Sequence, residues 1–477
     1  MNDRLGSADQ HVHGQLRTDA APGATQTSPP GERGLARELG TWSATAIVVG
    51  TIIGSGIFRL PGLVAAEVGT VGAITLLWVL GGIIALCGAL SLAELSAAFP
   101  ETGGMYVFLR ETYGRWAAFL FGWAMLFVNP AAYAFVAVVF AESLSVLVPQ
   151  LRGSERIVAA GSLILLVVIN IRPVRVAAVA MNIATWLKVA VLIALSAGAL
   201  ALLPGGGGAL AGSVELAPRS WPGFGLALIL IMGAYDGWQW VPQVAGEMRN
   251  PARSLPRALG GGVAIVIGVY LLVNLGNLYV MPLADLSASA LVTADVARRL
   301  VGVAGASLVA SLIMVSTFST NHGGMMTDPR VLFAMAQDRL FFPFVGAVHP
   351  RHRTPYVAIG LIGASAIAYI FMRSVEQLIG TLILGMWPFL AASVAAVIVQ
   401  RRRRPGLTRP FRVPLYPWVP AFFLLACAGI FANSFREQPL FTTINLAVLF
   451  AGLPAYWLWR ARSSRVAPIP PPAPELP

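Results

Sequence analysis

TWSATAIVVGTIIGSGIFRLPGLVA, residues 41–65, is the stretch whose reading decides the fold. It lies in an apolar run, taken here as a span over 42–66, and a bilayer core needs about 20 residues of helix. Gly50, Thr51, Gly54, Ser55 and Gly56 crowd its middle. Each glycine costs a helix interior about 1 kcal/mol against alanine. In hydrocarbon, backbone that leaves the helix is tolerated only where protein or a watery cavity covers it. The stretch therefore predicts a helix broken at mid-membrane, with bare N–H and C=O groups turned toward something polar. Half-helices of this kind form the substrate sites of secondary transporters. Close helix packing through small residues is the competing reading of this one segment.

The rest of the 477 residues agrees with a membrane setting. The chain is 57% hydrophobic and 11% charged, with mean hydropathy +0.73, where soluble domains carry about 25% charged residues. Twelve spans are predicted, at 42–66, 71–98, 115–145, 155–171, 178–203, 222–247, 257–281, 303–326, 355–372, 376–400, 417–434 and 440–459. The third is longer than a bilayer needs and is expected to tilt or protrude. Short connections leave little chain outside the membrane. Polar residues 1–40 lack the apolar core of a signal peptide and read as a disordered tail, as do 463–477. Cys87 and Cys427 sit in apolar runs and read as inert thiols.

The net charge of +12 reports topology, not nucleic-acid binding. With a cytoplasmic N-terminus, twenty-four arginines fall on inner segments and eight on outer ones, which puts both termini inside. The remaining cation is Lys188, in MNIATWLKVAVLIAL (181–195), and it is the only lysine in the chain. It lies about ten residues into its span, roughly 15 Å at the helical rise. That is too deep for easy snorkelling, so a functional, partnered residue is expected. An ammonium has three donors and no acceptor. Its natural partners are carbonyls freed at Gly50–Gly54 and the hydroxyls of Ser316, Thr317, Ser319 and Thr320 in the eighth span. There it would do the electrostatic work of a bound sodium ion, tying the broken helix to its neighbours.

A second interruption lies in PGFGLALILIMGAYDGWQWVPQVAGE (222–247), where GAYDG breaks the run and Pro242 follows. The breaks fall in the first and sixth spans. Five is odd, so a five-helix repeat would have inverted topology, and paired interruptions point to a transporter site. The predicted fold is an all-α membrane protein of 12 helices: two inverted five-helix repeats (41–205 and 206–415) with helices 1 and 6 discontinuous, then helices 11 and 12 (416–462).

Six ordered motifs over residues 40–415 and just beyond carry a resemblance. They are GTIIGSGIF (50–58), AELSAAFPETGGMY (93–106), AYDGW (234–238) with GEMRNPARSLP (246–256), DPRVLFAMAQDRLFF (328–342), HPRHRTP (349–355) and RPFRVPLYPWVP (409–420). With these the chain resembles the amino acid–polyamine–organocation transporters, in particular bacterial members of the L-type amino acid transporter branch. The resemblance implies that N–H groups of Ser55, Gly56 and Ile57 bind an α-carboxylate, as a helix N-terminus favours an anion. Carbonyls of Ile53, Gly233, Ala234 and Asp236 would accept from the α-ammonium. Lys188 matches a lysine that replaces a sodium site, with Ser316 and Ser319 beside it, which implies a sodium-independent cycle.

Three departures from the family pattern bear on the site. Gly233 stands where relatives often carry an aromatic gate, so it would leave room for a bulkier substrate side chain or pass gating to Met232, Trp238 or Trp240. His322 stands where relatives usually have asparagine, either as a hydrogen-bonding substitute or as a group titrating near neutrality. Eukaryotic members that pair with a heavy subunit use a cysteine after helix 3. Residues 143–156 contain none, so no disulfide-linked heavy subunit is expected. Asn129 in the third span is a further candidate for the pocket, and Glu94 is expected to pair with loop arginines.

The function expected is a sodium-independent amino acid transporter, an exchanger or proton symporter, in the cytoplasmic (inner) membrane of a bacterium. Its partners are an amino acid and the lipid bilayer, with no cofactor or metal and no nucleic acid. A polyamine carrier is the rival: it needs several core carboxylates, and only Asp236 falls in the core spans beyond Glu94 and the span-end Glu142 and Glu247. An intramembrane enzyme would need a nucleophile–base pair or paired metal ligands, and no HExxH-type or paired-aspartate motif appears.

Overall fold

Residues 40–101, 103–172, 177–202, 208–211, 218, 220–248, 250–352 and 354–463 are described by a computed structural model, apart from the side chains of 177–184, 202, 244, 246–247 and 461–463. Most of both expected tails therefore lies outside the described residues. The first span is two helices, α1 (Thr41–Ile52) and α2 (Gly56–Val68), bent by 41° across the break. Gly69, in the left-handed region at φ 66°, ends α2 and returns its N–H to the Ala65 carbonyl. The second span is α3 (Val71–Ala98); a short α4 (Met105–Tyr113) leads into the third.

That third span is two helices in succession. It is α5 (Arg115–Phe127) and α6 (Pro130–Leu147). Pro130 supplies no N–H, and the N–H groups of Val128 and Asn129 both close on the Ala124 carbonyl, at 2.8 and 2.9 Å. The widened turn leaves Asn129 at a joint.

The remaining spans follow as α7 (Glu155–Ile171), α8 (Ala177–Leu202), α9 (Trp221–Ala234) with a 3₁₀ run Trp238–Glu247, and α10 (Pro251–Val280). After α11 (Leu283–Ala288), the eighth is α12 (Val292–Thr327), kinked at Val301–Gly302 so that its straight part begins where expected. Helix α13 (Pro329–Gln337) continues directly beyond Asp328. The last spans are α14 (Tyr356–Met372), α15 (Val375–Arg403), α16 (Trp418–Glu437), and α17 (Pro439–Phe450) with α18 (Gly452–Ser463). Among the described residues, eight helical spans are long and apolar enough to cross a membrane, and the bent pair α1/α2 makes a ninth. The other three expected spans are also helical: α7 and α14 have 17 residues each and α8 has 26.

Helices α1, α2, α9 and the 3₁₀ run lie between α3, α8, α10, α12 and α15. In the apolar window of α16 only 28% of residues are buried, against 78% for α5–α6, so the last spans sit at the margin. One buried ion pair ties margin to core. Glu94 accepts from Arg401 at 2.8 and 2.6 Å and from the Val413 N–H at 2.7 Å, with Arg409 at 3.5 Å. The Arg401 guanidinium also lies 3.9 Å from the Tyr416 ring centre. Partnering a charge with several donors is what makes its burial tolerable.

Candidate functional site

The two breaks meet. Gly237, at φ 125°, holds a backbone that L side chains rarely adopt, and a Cβ there would stand 2.7 Å from the Thr51 carbonyl oxygen. A Cβ on Gly56 would be 3.1 Å from the Cβ of Ala234 and 2.7 Å from its Cα. Each break thus presents a glycine to the backbone of the other. From behind, the Tyr270 hydroxyl reaches the carbonyls of Ile52 (2.9 Å) and Ala234 (3.0 Å).

The first break is held by distant side chains. Lys188 Nζ, buried, donates to the Gly50 carbonyl at 2.9 Å and to Ser316 Oγ at 3.3 Å. Ser316 Oγ donates in turn to the Ile53 carbonyl at 3.4 Å. At the start of α2, the N–H groups of Phe58 and Arg59 turn back to the Ser55 carbonyl, each at 3.3 Å. The N–H groups of Gly56 and Ile57, at the helix start, have no acceptor inside the helix.

The sixth-span break is held locally. Gln239 Nε2 donates to Asp236 Oδ1, and Gln239 Oε1 accepts the Gly237 N–H at 3.0 Å.

A cavity of about 260 Å³ adjoins both breaks and extends along the half of α1 nearer its start. Its lining includes Ser43, Gly50, Gly54, Ser55, Gly56, Asn129, Gly233, Asp236, Trp240 and Ser319. Ile53, Ile57, Ala234, Lys188 and Ser316 are not among the lining residues. On the other side, Ile379 of α15 closes over the break.

Three expectations are corrected. The room left by Gly233 is taken: a Cβ there would lie 2.8 Å from Ile379 Cγ2, so the glycine seats a neighbour and does not enlarge the cavity. Met232 and Trp238 do not gate this cavity. They face α3 and α16, with Met232 against Gly81 and Trp238 against Gly88 and Phe423, whereas Trp240 lines the cavity. His322 is absent from the lining, although Asn321 and Gly323 belong to it, and its Nδ1 is buried without a partner.

Asp328 was missed. It is buried, lines the cavity, and accepts from Asn129 Nδ2 at 2.7 Å and from the Tyr133 hydroxyl. Asp-Pro reads as the end of a helix and the start of a loop. The chain instead continues into α13, which draws the carboxylate inward. The argument against an amine carrier from a lone core acid therefore does not hold. Tyr270 was missed too; the available signal was a tyrosine deep in an apolar run, whose hydroxyl needs a partner when buried.

Comparison with known proteins shows the family. The amino acid permease family matches residues 39–456. The chain is 32% identical over 446 residues to the serine/threonine exchanger SteT of Bacillus subtilis (strain 168), covering 91% of this chain and 99% of that protein. It is 31% identical over 455 residues to the large neutral amino acids transporter small subunit 2 of Rattus norvegicus, covering 94% and 85%. It is 30% identical over 443 residues to the b(0,+)-type amino acid transporter 1 of Homo sapiens, covering 91% and 90%.

Proposed function

The chain belongs to the amino acid permease family and is a multi-pass amino acid transporter; we propose that it works without sodium, by alternating access, on a zwitterion held between the two breaks. The observation that carries this reading is the cavity bounded by the start of α2 on one side and by Gly233 and Asp236 on the other. The α-carboxylate sits at the N–H groups of Ser55 and Gly56, where a helix N-terminus favours an anion. The α-ammonium faces Gly233 and Asp236. These two are better placed than Ile53 and Ala234, whose carbonyls meet Ser316 and Tyr270.

Lys188 donates to the Gly50 carbonyl. It takes the place a metal cation would have in joining α1 to α8 and α12, so no sodium gradient enters the cycle. Residues 41–205 and 206–415 act as inverted repeats that rock around the site, with 416–462 peripheral. Both termini are cytoplasmic, in a bacterial inner membrane. No disulfide-linked heavy subunit is required. Exchange is the favoured mode, since one relative matched over nearly its whole length is named an exchanger.

Purified protein in liposomes tests this with labelled amino acids, with and without internal substrate, a pH gradient or sodium. The expected result is uptake stimulated by internal amino acid and unchanged on replacing sodium. Strict sodium dependence would refute the role given to Lys188.

A further inference from the structure

Six arginines gather where α15 ends and the chain turns into α16: Arg401 to Arg404, Arg409 and Arg412. Four of them are engaged. Arg401 and Arg409 hold Glu94, Arg404 reaches Glu111 at 3.4 Å, and Arg403 donates to the Thr112 carbonyl at 3.3 Å. Glu111 is shared with Arg110, at 3.4 Å. Arg402 and Arg412 are exposed, and their side chains have no ion pair or hydrogen bond among the described residues.

The turn that carries these two is held in shape. Arg409 donates to the carbonyls of Gln400, Arg404 and Leu407 at 2.8, 2.9 and 2.9 Å. The Val413 N–H and the Arg401 guanidinium meet on the Glu94 carboxylate. Arg402 follows Arg401 and Arg412 precedes Val413, so each free guanidinium belongs to a residue next to one anchored at Glu94. A bias of arginine toward one side of a membrane asks only for number. Here two cations are left unmatched at one fixed place.

Helices α15 and α16 are both long and apolar enough to cross a membrane, so the turn between them lies at headgroup depth. Leu415, at φ 50°, holds backbone that L side chains rarely adopt, with its side chain 76% exposed. Trp418 is 75% exposed, at the level where tryptophan favours a membrane interface. Phe422 and Leu425 continue from it at i+4 and i+7, also exposed, on one face of α16. An apolar stripe alone is what any lipid-facing helix shows. This one has two uncompensated guanidinium groups at its head.

We infer that the turn between α15 and α16 is a binding site for an anionic phospholipid. Arg402 and Arg412 hold the phosphate, whose oxygens match the guanidinium fork. An acyl chain lies along Trp418, Phe422 and Leu425. Basic clusters beside a membrane span attract anionic headgroups, and only a lipid supplies both the anion and the chain. Bound there, it joins the ends of α15 and α16 where Glu94 already ties margin to core.

Thermal unfolding of the full-length protein in detergent tests this, by titration with phosphatidylglycerol, phosphatidylcholine or soluble glycerol phosphate. Phosphatidylglycerol should raise Tm saturably, because a ligand of the folded state stabilises it by mass action. The other two should not. Arg402→Gln and Arg412→Gln should each weaken the titration about fivefold, and the double variant about thirtyfold. Arg156→Gln, at an exposed arginine near the start of α7, should leave it unchanged. An equal rise with phosphatidylcholine would reduce the patch to ordinary lipid contact. An equal rise with glycerol phosphate would make it a site for soluble anions. Equal weakening in Arg156→Gln would make the effect one of bulk charge, and an unchanged titration in the double variant would leave the arginines as topology signals. Each of these overturns the inference, as does the lack of any rise with phosphatidylglycerol. Should the double variant fail to insert, Arg412→Gln alone decides, since an unchanged titration there refutes the site. The readout needs no transport, so it stands apart from the uptake assays.

Discussion

The two breaks solve the same problem in opposite ways. Each leaves peptide groups bare at mid-membrane, where an unsatisfied group costs several kcal/mol. The sixth-span break satisfies itself: Gln239, two and three residues from its partners, serves both Gly237 and Asp236. The first break borrows from afar, with Lys188 on α8, Ser316 on α12 and Tyr270 on α10 each reaching one of its carbonyls. A locally dressed break keeps its shape wherever its helix goes. A remotely dressed one keeps its shape only while three other helices stay in place, so it is the one that can register movement of the surrounding bundle.

If that contrast holds, the largest loss follows from removing the remote support. Lys188→Ala should lower uptake about 100-fold or more, equivalent to about 2.7 kcal/mol, with insertion and monodispersity retained by size-exclusion chromatography. Wild-type rates would mean that the lysine is merely tolerated and the contrast empty. Gly237→Ala probes the contact between breaks. A Cβ 2.7 Å from the Thr51 carbonyl, on backbone at φ 125°, should lower uptake by about 30-fold and Tm by a few degrees, read by thermal unfolding in detergent. Gln239→Ala strips the local dressing of two bonds and should cost about fivefold to tenfold in uptake, from roughly 1 kcal/mol of net hydrogen bonding. A loss as deep as that of Lys188→Ala would erase the distinction between remote and local support. The smallest effect belongs to His322→Asn. Since His322 does not line the cavity, uptake should stay within about twofold and its pH profile should not move. A flattened profile would return the histidine to the coupling path.

How much of this was legible depended on whether a residue stood out against its surroundings. Gly50, Gly54 and Gly56 contradict the apolar run they interrupt, so the first break could be placed to within a residue or two. Lys188 contradicts a chain that otherwise uses only arginine, and its partners could be named from the donor count of an ammonium. Asp328 contradicts nothing locally, since Asp followed by Pro is ordinary loop chemistry. Only the continuation of α12 into α13 makes it a cavity group. Met232, Trp238 and Trp240 were equivalent candidates in one dimension. Met232 lies in α9 while Trp238 and Trp240 lie in the 3₁₀ run, and no pattern in the residues announces a change from 3.6 to 3 residues per turn. Gly233 was misjudged for a related reason: what fills a glycine's space is decided by a helix 146 positions away in the chain, at Ile379.

The near touch of Gly56 and Ala234 constrains how the molecule can move. Backbones this close have no side chain between them to compress or slide, and α2 and α9 pack along one another beyond that point. The two segments are therefore a single lever with one hinge at each break. A cargo molecule lying against the hinges can tilt that lever but cannot pry its arms apart.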